Sequence, residues 1–252
     1  MVDFMGFVVV ILRVLVRLCL LVGAYIAYLA QFPALVLGCK KHAAQMSSVF
    51  CRLLLRSLGI KVCIQSDFNW FRSSNGFVHI YNHENPLDVF IIQGYLRLAS
   101  ITTAGSHLGK VLPFFDRCAS NAGHILLDHM DPASRRLSFS RSFETMATQG
   151  QMIIAPNGSL VTSIYQRASR SPQALAKKFS TSIAPWIFAY DNLEMSKEDL
   201  YSPALILIRR LTAPVSTITC SLWKEDLQAI PVDLPKDQFE SFVINFYILR
   251  KE

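Results

Sequence analysis

The sequence predicts an α/β domain with a mixed, mostly parallel sheet flanked by helices, behind an N-terminal membrane helix or helix pair. Three observations lead there. From Ile60 onward, short β-branched and aromatic runs alternate with helical stretches. Residues 77–81 (FVHIY) pass within four residues into Asn85-Pro86, a helix start. Residues 4–38 are almost wholly apolar, and residues 18–38 are 21 residues without a charge, long enough to span a bilayer. The chain is accordingly divided into a membrane-anchoring segment, residues 1–42, and one domain, residues 43–252.

Bulk properties agree. Hydrophobic residues make up 52% and charged residues 17%, and mean hydropathy is +0.32, so part of the chain is expected to meet lipid. A net charge of +7 suits nucleic acid or an anionic membrane equally; the apolar N-terminus decides for the membrane, and no nucleic acid partner is expected. The six cysteines form no C-x-x-C pair and suggest neither a disulfide nor a zinc framework. They read as reduced residues of a cytosol-facing protein.

In the anchor, Arg13 and Arg17 sit four apart on one helix face, where they are expected to snorkel to head groups. Pro33 should end or kink the helix, and Lys40, Lys41 and His42 form a cytoplasmic flank. One span and a helix pair dipping into one leaflet both fit. Attachment is expected at the cytoplasmic face of the inner, or endoplasmic reticulum, membrane. A helix follows over residues 43–58, with Val49, Leu53, Leu54 and Leu58 on its apolar side and Gly59 as its stop. Residues 60–64 read as a strand and 67–76 as a polar turn.

Residues 77–81 form the central strand. Asn85 caps the next helix, Pro86 opens it, and Leu87, Phe90 and Ile91 give it a buried face. His83 then lies in the strand-to-helix turn and Asp88 in the first helical turn. A carboxylate on one imidazole nitrogen fixes the tautomer and leaves the other nitrogen as a base for a hydroxyl proton. His79 and His83 share a strand face, but no third ligand has suitable spacing, so no metal is expected.

Residues 99–104 are a strand candidate. The stretch 105–110 is one residue short of a phosphate loop, with Val111 where Ser or Thr should stand. Asp131-Pro132 starts a helix to about Thr148, residues 151–155 are a strand entering the turn Pro156-Asn157-Gly158-Ser159, and residues 173–179 are a short helix. Residues 181–190 hold an apolar strand with a central Pro. Residues 205–208 and 216–223 read as strands, and 238–249 as a closing helix.

The segment NHENPLD, residues 82–88, resembles the NHxxxxD box of the lysophosphatidic acid acyltransferase family, the glycerolipid O-acyltransferases. Residues 112–128 resemble the family's second motif, with His129 in place of its Arg. Residues 155–160 resemble the third, FPEGTR: Pro156 and Gly158 match, while Ala155, Asn157 and Leu160 depart. Residues 183–187 resemble the fourth. The resemblance covers about residues 60–190. It implies that His83 deprotonates an acceptor hydroxyl, oriented by Asp88, and that the hydroxyl attacks the thioester of acyl-CoA or acyl-carrier protein. It implies no cofactor beyond that donor, a lysolipid or other hydroxyl acceptor, and acyl-carrier protein as a partner where it is the donor.

Substrate-binding positions are expected at Asn82, Asn157, Gly158 and Ser159, the last three offering hydrogen bonds to an oxyanion or acceptor, and at Arg167 and Arg170, which could hold an anionic group. The His83 loop, the Asn157 turn and the Arg167 region should converge at one edge of the sheet. The lost basic positions of the second and third motifs favour an acceptor without a phosphate, such as an amino-acid-containing lysolipid or a hydroxylated secondary metabolite. A non-catalytic membrane scaffold of the same fold is the reading from another class.

Overall fold

The computed structural model describes residues 4–67, 76–103, 115–127, 131–157, 168–191, 193 and 203–250. It opens with helices α1 (Phe4–Leu29), α2 (Gln31–Val36) and α3 (Lys40–Ser57). Strand β1 (Ile60–Ser66), strand β2 (Phe77–Tyr81) and helix α4 (Asp88–Ile91) follow, and α4 runs into a π-helical turn, Ile92–Leu96. Then come β3 (Ile101–Thr103), α5 (Phe115–Asn121), β4 (Ile125–Leu127), α6 (Pro132–Gln149), β5 (Gln151–Ile154), α7 (Ser171–Phe179) and β6 (Ser182–Asp191). Helix α8 (Pro203–Thr212), β7 (Ser216–Leu222), a 3-10 turn (Lys224–Gln228) and α9 (Lys236–Leu249) complete the order.

The main sheet has the order β1-β7-β6-β2-β5. Strand β2 is central and parallel to both β5 and β6; β6 is antiparallel to β7, and β7 parallel to β1. A parallel pair, β3 and β4, joins the β5 edge through a single bridge from Ser100 to Ile153. This is the mixed, mostly parallel sheet the sequence predicts. All five β2 residues are buried, as expected of a strand covered on both faces. Its side chains alternate: Phe77 and Tyr81 join one apolar layer with Trp186, Phe188, Leu55 and Ile91, while Val78 and Ile80 join another with Met152, Leu175 and Phe239. Fully burying a side chain of this kind stabilises by about 1.5–3 kcal/mol.

Several expectations are corrected. Residues 205–208 lie inside α8, not in a strand: a short apolar run cannot distinguish the two, and Arg209 and Arg210 complete the helix's last turn. Of the expected apolar side of α3, Leu53 and Leu54 pack half-buried against the core and Leu58, just past the helix, is buried, but Val49 is 39% exposed; Ala43, Ser47, Phe50, Cys51 and Leu55 complete the buried face. The polar Ser48 turns inward because its hydroxyl donates to the Gln93 carbonyl at 2.8 Å. Within the stretch 112–128, helix α5 precedes Gly123.

Arg17 does not snorkel. It is 3% exposed and donates to the carbonyls of Arg210, Leu211 and Ala213, the orphan acceptors at the C-terminus of α8. Arg13 donates to Thr212 O at 3.2 Å. Helix α1 also packs against α3, with the Tyr28 and Phe50 rings 5.1 Å apart. The stretch Gly6–Val36 is long and apolar enough to cross a membrane, and between Gly6 and Val16 no residue is buried.

Candidate active site

At Tyr81 the central strand ends and the chain leaves the sheet. Asn82 marks that point. Its buried amide donates to Phe188 O at 2.8 Å, and its Oδ1 accepts from Phe188 N at 2.7 Å. The side chain thus continues the ladder between β2 and β6 after the backbone has turned away. Both groups are committed to the backbone, so the structure places Asn82 as a structural clamp.

Three residues on, Asn85 folds the turn. Its Oδ1 accepts from Leu87 N at 2.9 Å and its carbonyl from Asp88 N at 3.1 Å. This presents Asp88, fully buried, at the start of α4. His83 Nδ1 lies 2.9 Å from Asp88 Oδ2. The same oxygen accepts from Asn85 N at 3.3 Å, and Asp88 Oδ1 accepts from the Tyr190 hydroxyl at 2.7 Å. Burial pushes the Asp88 carboxyl above its usual range, and the bonds from His83, Tyr190 and Asn85 oppose that shift. Burial, then Asp88 itself, pushes the Tyr190 phenol well up, so it serves as a neutral donor.

The carboxylate can only accept, so Nδ1 of a neutral His83 carries the proton and Nε2 keeps its lone pair. The His83 side chain is 20% exposed, while Asp88 is sealed. The Tyr81 ring sits 5.5 Å from the imidazole and 5.2 Å from Phe188, which limits how the histidine can swing. This arrangement can take a proton from a bound hydroxyl without a protein nucleophile.

Asn157 donates from Nδ2 to the His83 carbonyl at 3.0 Å, so the turn after β5 does meet the His83 loop. Ser169 N donates to Pro156 O at 2.6 Å, drawing the start of α7 to the same turn. Arg170 is directed elsewhere: its Nε is 2.9 Å from Glu240 Oε1 on α9. Gly158, Ser159 and Arg167 lie outside the described residues, as do the motif positions His129 and Leu160 and the loop 105–110.

His79 is a core residue. Trp186 Nε1 donates to its Nδ1 at 3.0 Å, its Nε2 faces Gln151 Oε1 at 3.4 Å, and burial lowers it to about 4. No group of three potential metal ligands occurs among the described residues. Sequence reasoning missed Tyr190. The signal was period two: Trp186, Phe188 and Tyr190 alternate on one face of β6, and Tyr190 is the one with a hydroxyl to offer.

With the geometry in hand, comparison with known proteins is specific. The sequence model of the acyltransferase family matches residues 63–188, half of the chain. No curated protein matches the sequence. Among solved structures, the 1-acyl-sn-glycerophosphate (LPA) acyltransferase PlsC from Thermotoga maritima is similar in fold, with a TM-score of 0.54 at 14% identity, over 95% of this chain and 98% of that one. The matched stretch takes in His83 and Asp88, and the chain belongs to the acyltransferase family and is an acyltransferase.

Proposed function

We propose that this acyltransferase moves a fatty acyl group from the thioester of acyl-CoA or acyl-carrier protein to the hydroxyl of a membrane lysolipid. The observation that carries the reading is the His83–Asp88 pair, with Asp88 sealed beneath His83 and held from its far side by Tyr190. His83 Nε2 takes the acceptor's proton as its oxygen attacks the thioester carbonyl. The tetrahedral adduct expels the thiolate, and the Nε2 proton passes to the leaving sulfur. The chemistry needs no cofactor beyond the donor. Gly158 and Ser159 are suited to donate to the oxyanion, since Asn157, which precedes them in sequence, is bonded to the His83 carbonyl. Helix α1 attaches the domain to the cytoplasmic leaflet, so that the acceptor reaches the site without leaving the bilayer.

The test is acyl transfer by purified protein from radiolabelled acyl-CoA to a panel of lysolipids. His83→Ala should lower the rate at least about a hundredfold while leaving the fold intact. A parent-like rate refutes the reading.

A second reading concerns the acceptor. Where the resemblance implies phosphate-binding arginines, this chain has His129 and Leu160, and Arg170 is engaged by Glu240. Each missing charged hydrogen bond weakens phosphate recognition by about 1.5–3 kcal/mol. An acceptor without a terminal phosphate monoester should therefore outcompete lysophosphatidic acid at equal concentration. If lysophosphatidic acid wins and Arg167→Ala leaves that advantage intact, this reading fails.

A further inference from the structure

Away from His83, an open pocket of about 400 Å³ is lined by Arg56, Gly59, Lys61, Tyr95 and Val215, among others. Its place in the sheet matters. Strand β2 runs toward His83, β6 runs with it, and β7 and β1 run against them, so β1 and β7 begin at the end where β2 and β6 finish. The pocket therefore opens at the same end of the sheet as the catalytic pair. One wall, Tyr95, lies on the π-helical turn that continues α4, and Arg52 fixes it, donating to Gly94 O at 2.6 Å with its guanidinium 5.4 Å from the ring.

Charge gathers here. Arg56 and Lys61 are exposed in the pocket. Behind Gly59 stand Arg17, whose guanidinium fills the space a side chain at 59 would need, and Arg210, which donates to Leu58 O at 3.0 Å. Arg13 lies beside them on the same helix. None of these five cations meets a carboxylate among the described residues. The surroundings are apolar in the same measure. From Phe7 to Leu12 helix α1 is exposed, and Ile208 and Val215 are 64% and 60% exposed. Arg56 and Lys61, exposed where an apolar helix leaves the domain, with Arg13 on that helix, match the phosphate layer of a bilayer with the acyl chains beyond it.

We infer that the Arg56–Lys61–Tyr95 pocket holds the head group of an anionic phospholipid of the surrounding bilayer, its acyl chains lying along the free part of α1. The lipid is resident, not a substrate. Strand β1 lies three strands from β2, about 14 Å across the sheet, whereas a lysolipid's hydroxyl and phosphate are only a few bonds apart. A lipid phosphate seated between Arg56 and Lys61 thus cannot present its own hydroxyl to His83. It anchors the catalytic end of the sheet against the membrane surface. The inference rests on the membrane reading of α1, and its test separates the two.

Full-length protein in neutral detergent micelles is titrated with dansyl-phosphatidylglycerol or with dansyl-phosphatidylcholine of the same chains, read by energy transfer from tryptophan. The wild type should prefer the anionic lipid. Each basic residue at an anionic lipid surface contributes about fivefold, so R56Q/K61Q should lower phosphatidylglycerol affinity about thirtyfold and leave phosphatidylcholine binding unchanged. Inorganic phosphate in excess should not displace the lipid. Equal affinity for the two lipids, an unaffected R56Q/K61Q, or displacement by phosphate alone each overturns the assignment. Binding of neither lipid by the wild type overturns the membrane reading with it. Should R56Q/K61Q lose both lipids, the charge-conserving R56K/K61R decides: a retained preference supports the pocket, and a lost one refutes it.

Discussion

Removing one hydroxyl from Tyr190 tests how the site works. The phenol donates to Asp88 Oδ1 at 2.7 Å, one of three bonds that hold this fully buried carboxylate. Tyr190→Phe keeps the ring and deletes only the donor. A hydrogen bond to a charged group is worth about 1.5–3 kcal/mol, and a shift of one pKa unit corresponds to about 1.4 kcal/mol. The sign follows. Burial already pushes the Asp88 carboxyl up, and the Tyr190 bond pulls it down, so deleting that bond raises it further. With Asp88 protonated, Nδ1 of His83 loses its acceptor and Nε2 is no longer presented as the base. The acid limb of the kcat profile should therefore move about one to two units to higher pH. KM should stay within about twofold, because Tyr190 acts through Asp88 and not on substrate. The assay is acyl transfer measured across pH at saturating donor and acceptor. An unmoved acid limb, with the variant folded, refutes the role given to Asp88 as the orienter of His83.

Three further outcomes are expected. Asn157→Asp replaces the donor to the His83 carbonyl, now at 3.0 Å, with a group that can only accept; kcat should fall about tenfold or more and Asn157→Gln should restore part of it, whereas equal rates in all three proteins dissociate the turn from the site. His79 and His124, both lowered by burial to about 4 from 6.5, stay neutral when folded; stability is full above 6.5 and is lost as pH falls toward 4, by about 1.4 kcal/mol per pH unit for each. Unfolding midpoints across that window should fall less steeply for His79→Gln, and an unchanged slope contradicts the assignment. Gly59→Ala puts a side chain at φ +69° into the space of the Arg17 guanidinium, so α1 should loosen from α8 at a cost of about 2–4 kcal/mol; an unchanged melting temperature in detergent refutes that packing.

The strand–turn–helix carrying His83 and Asp88 was legible because its cues are local. β-branched residues favour the strand, Asn85 and Pro86 make the turn before α4 (the helix itself begins at Asp88, not at Pro86 as expected), and a five-residue spacing brings the two side chains together. The same holds for α6, where Asp131 accepts from Ala133 N at 2.8 Å and Ser134 N at 3.1 Å, and Pro132 follows the cap. What stayed hidden depends on partners distant in the chain. Arg17 reads as a snorkelling residue until α8, nearly two hundred positions later, presents its carbonyls. The burial of Ser48 depends on Gln93 O, 45 positions away, facing its hydroxyl. Asn82 was read as a substrate contact because its neighbour is the histidine, yet Phe188 takes both its groups. Residues 205–208 failed for another reason: four apolar residues carry no periodicity, and only the length of α8 settles the matter.

The Asn82 clamp has a consequence for how this fold accommodates change. Backbone pairing between β2 and β6 stops at Tyr81 and Trp186, and one side chain closes the gap left at Phe188. From that rivet onward the segment 83–87 is answerable to Asp88, Asn157 and its own turn, not to the sheet. Lengthening or shortening it by a residue would rotate His83 away from Asp88 yet leave every strand register untouched. Scaffold and reactive loop are thus separable modules joined at one asparagine. Activity in this chain can be lost, retuned or re-evolved while the sheet beneath it stays as it is.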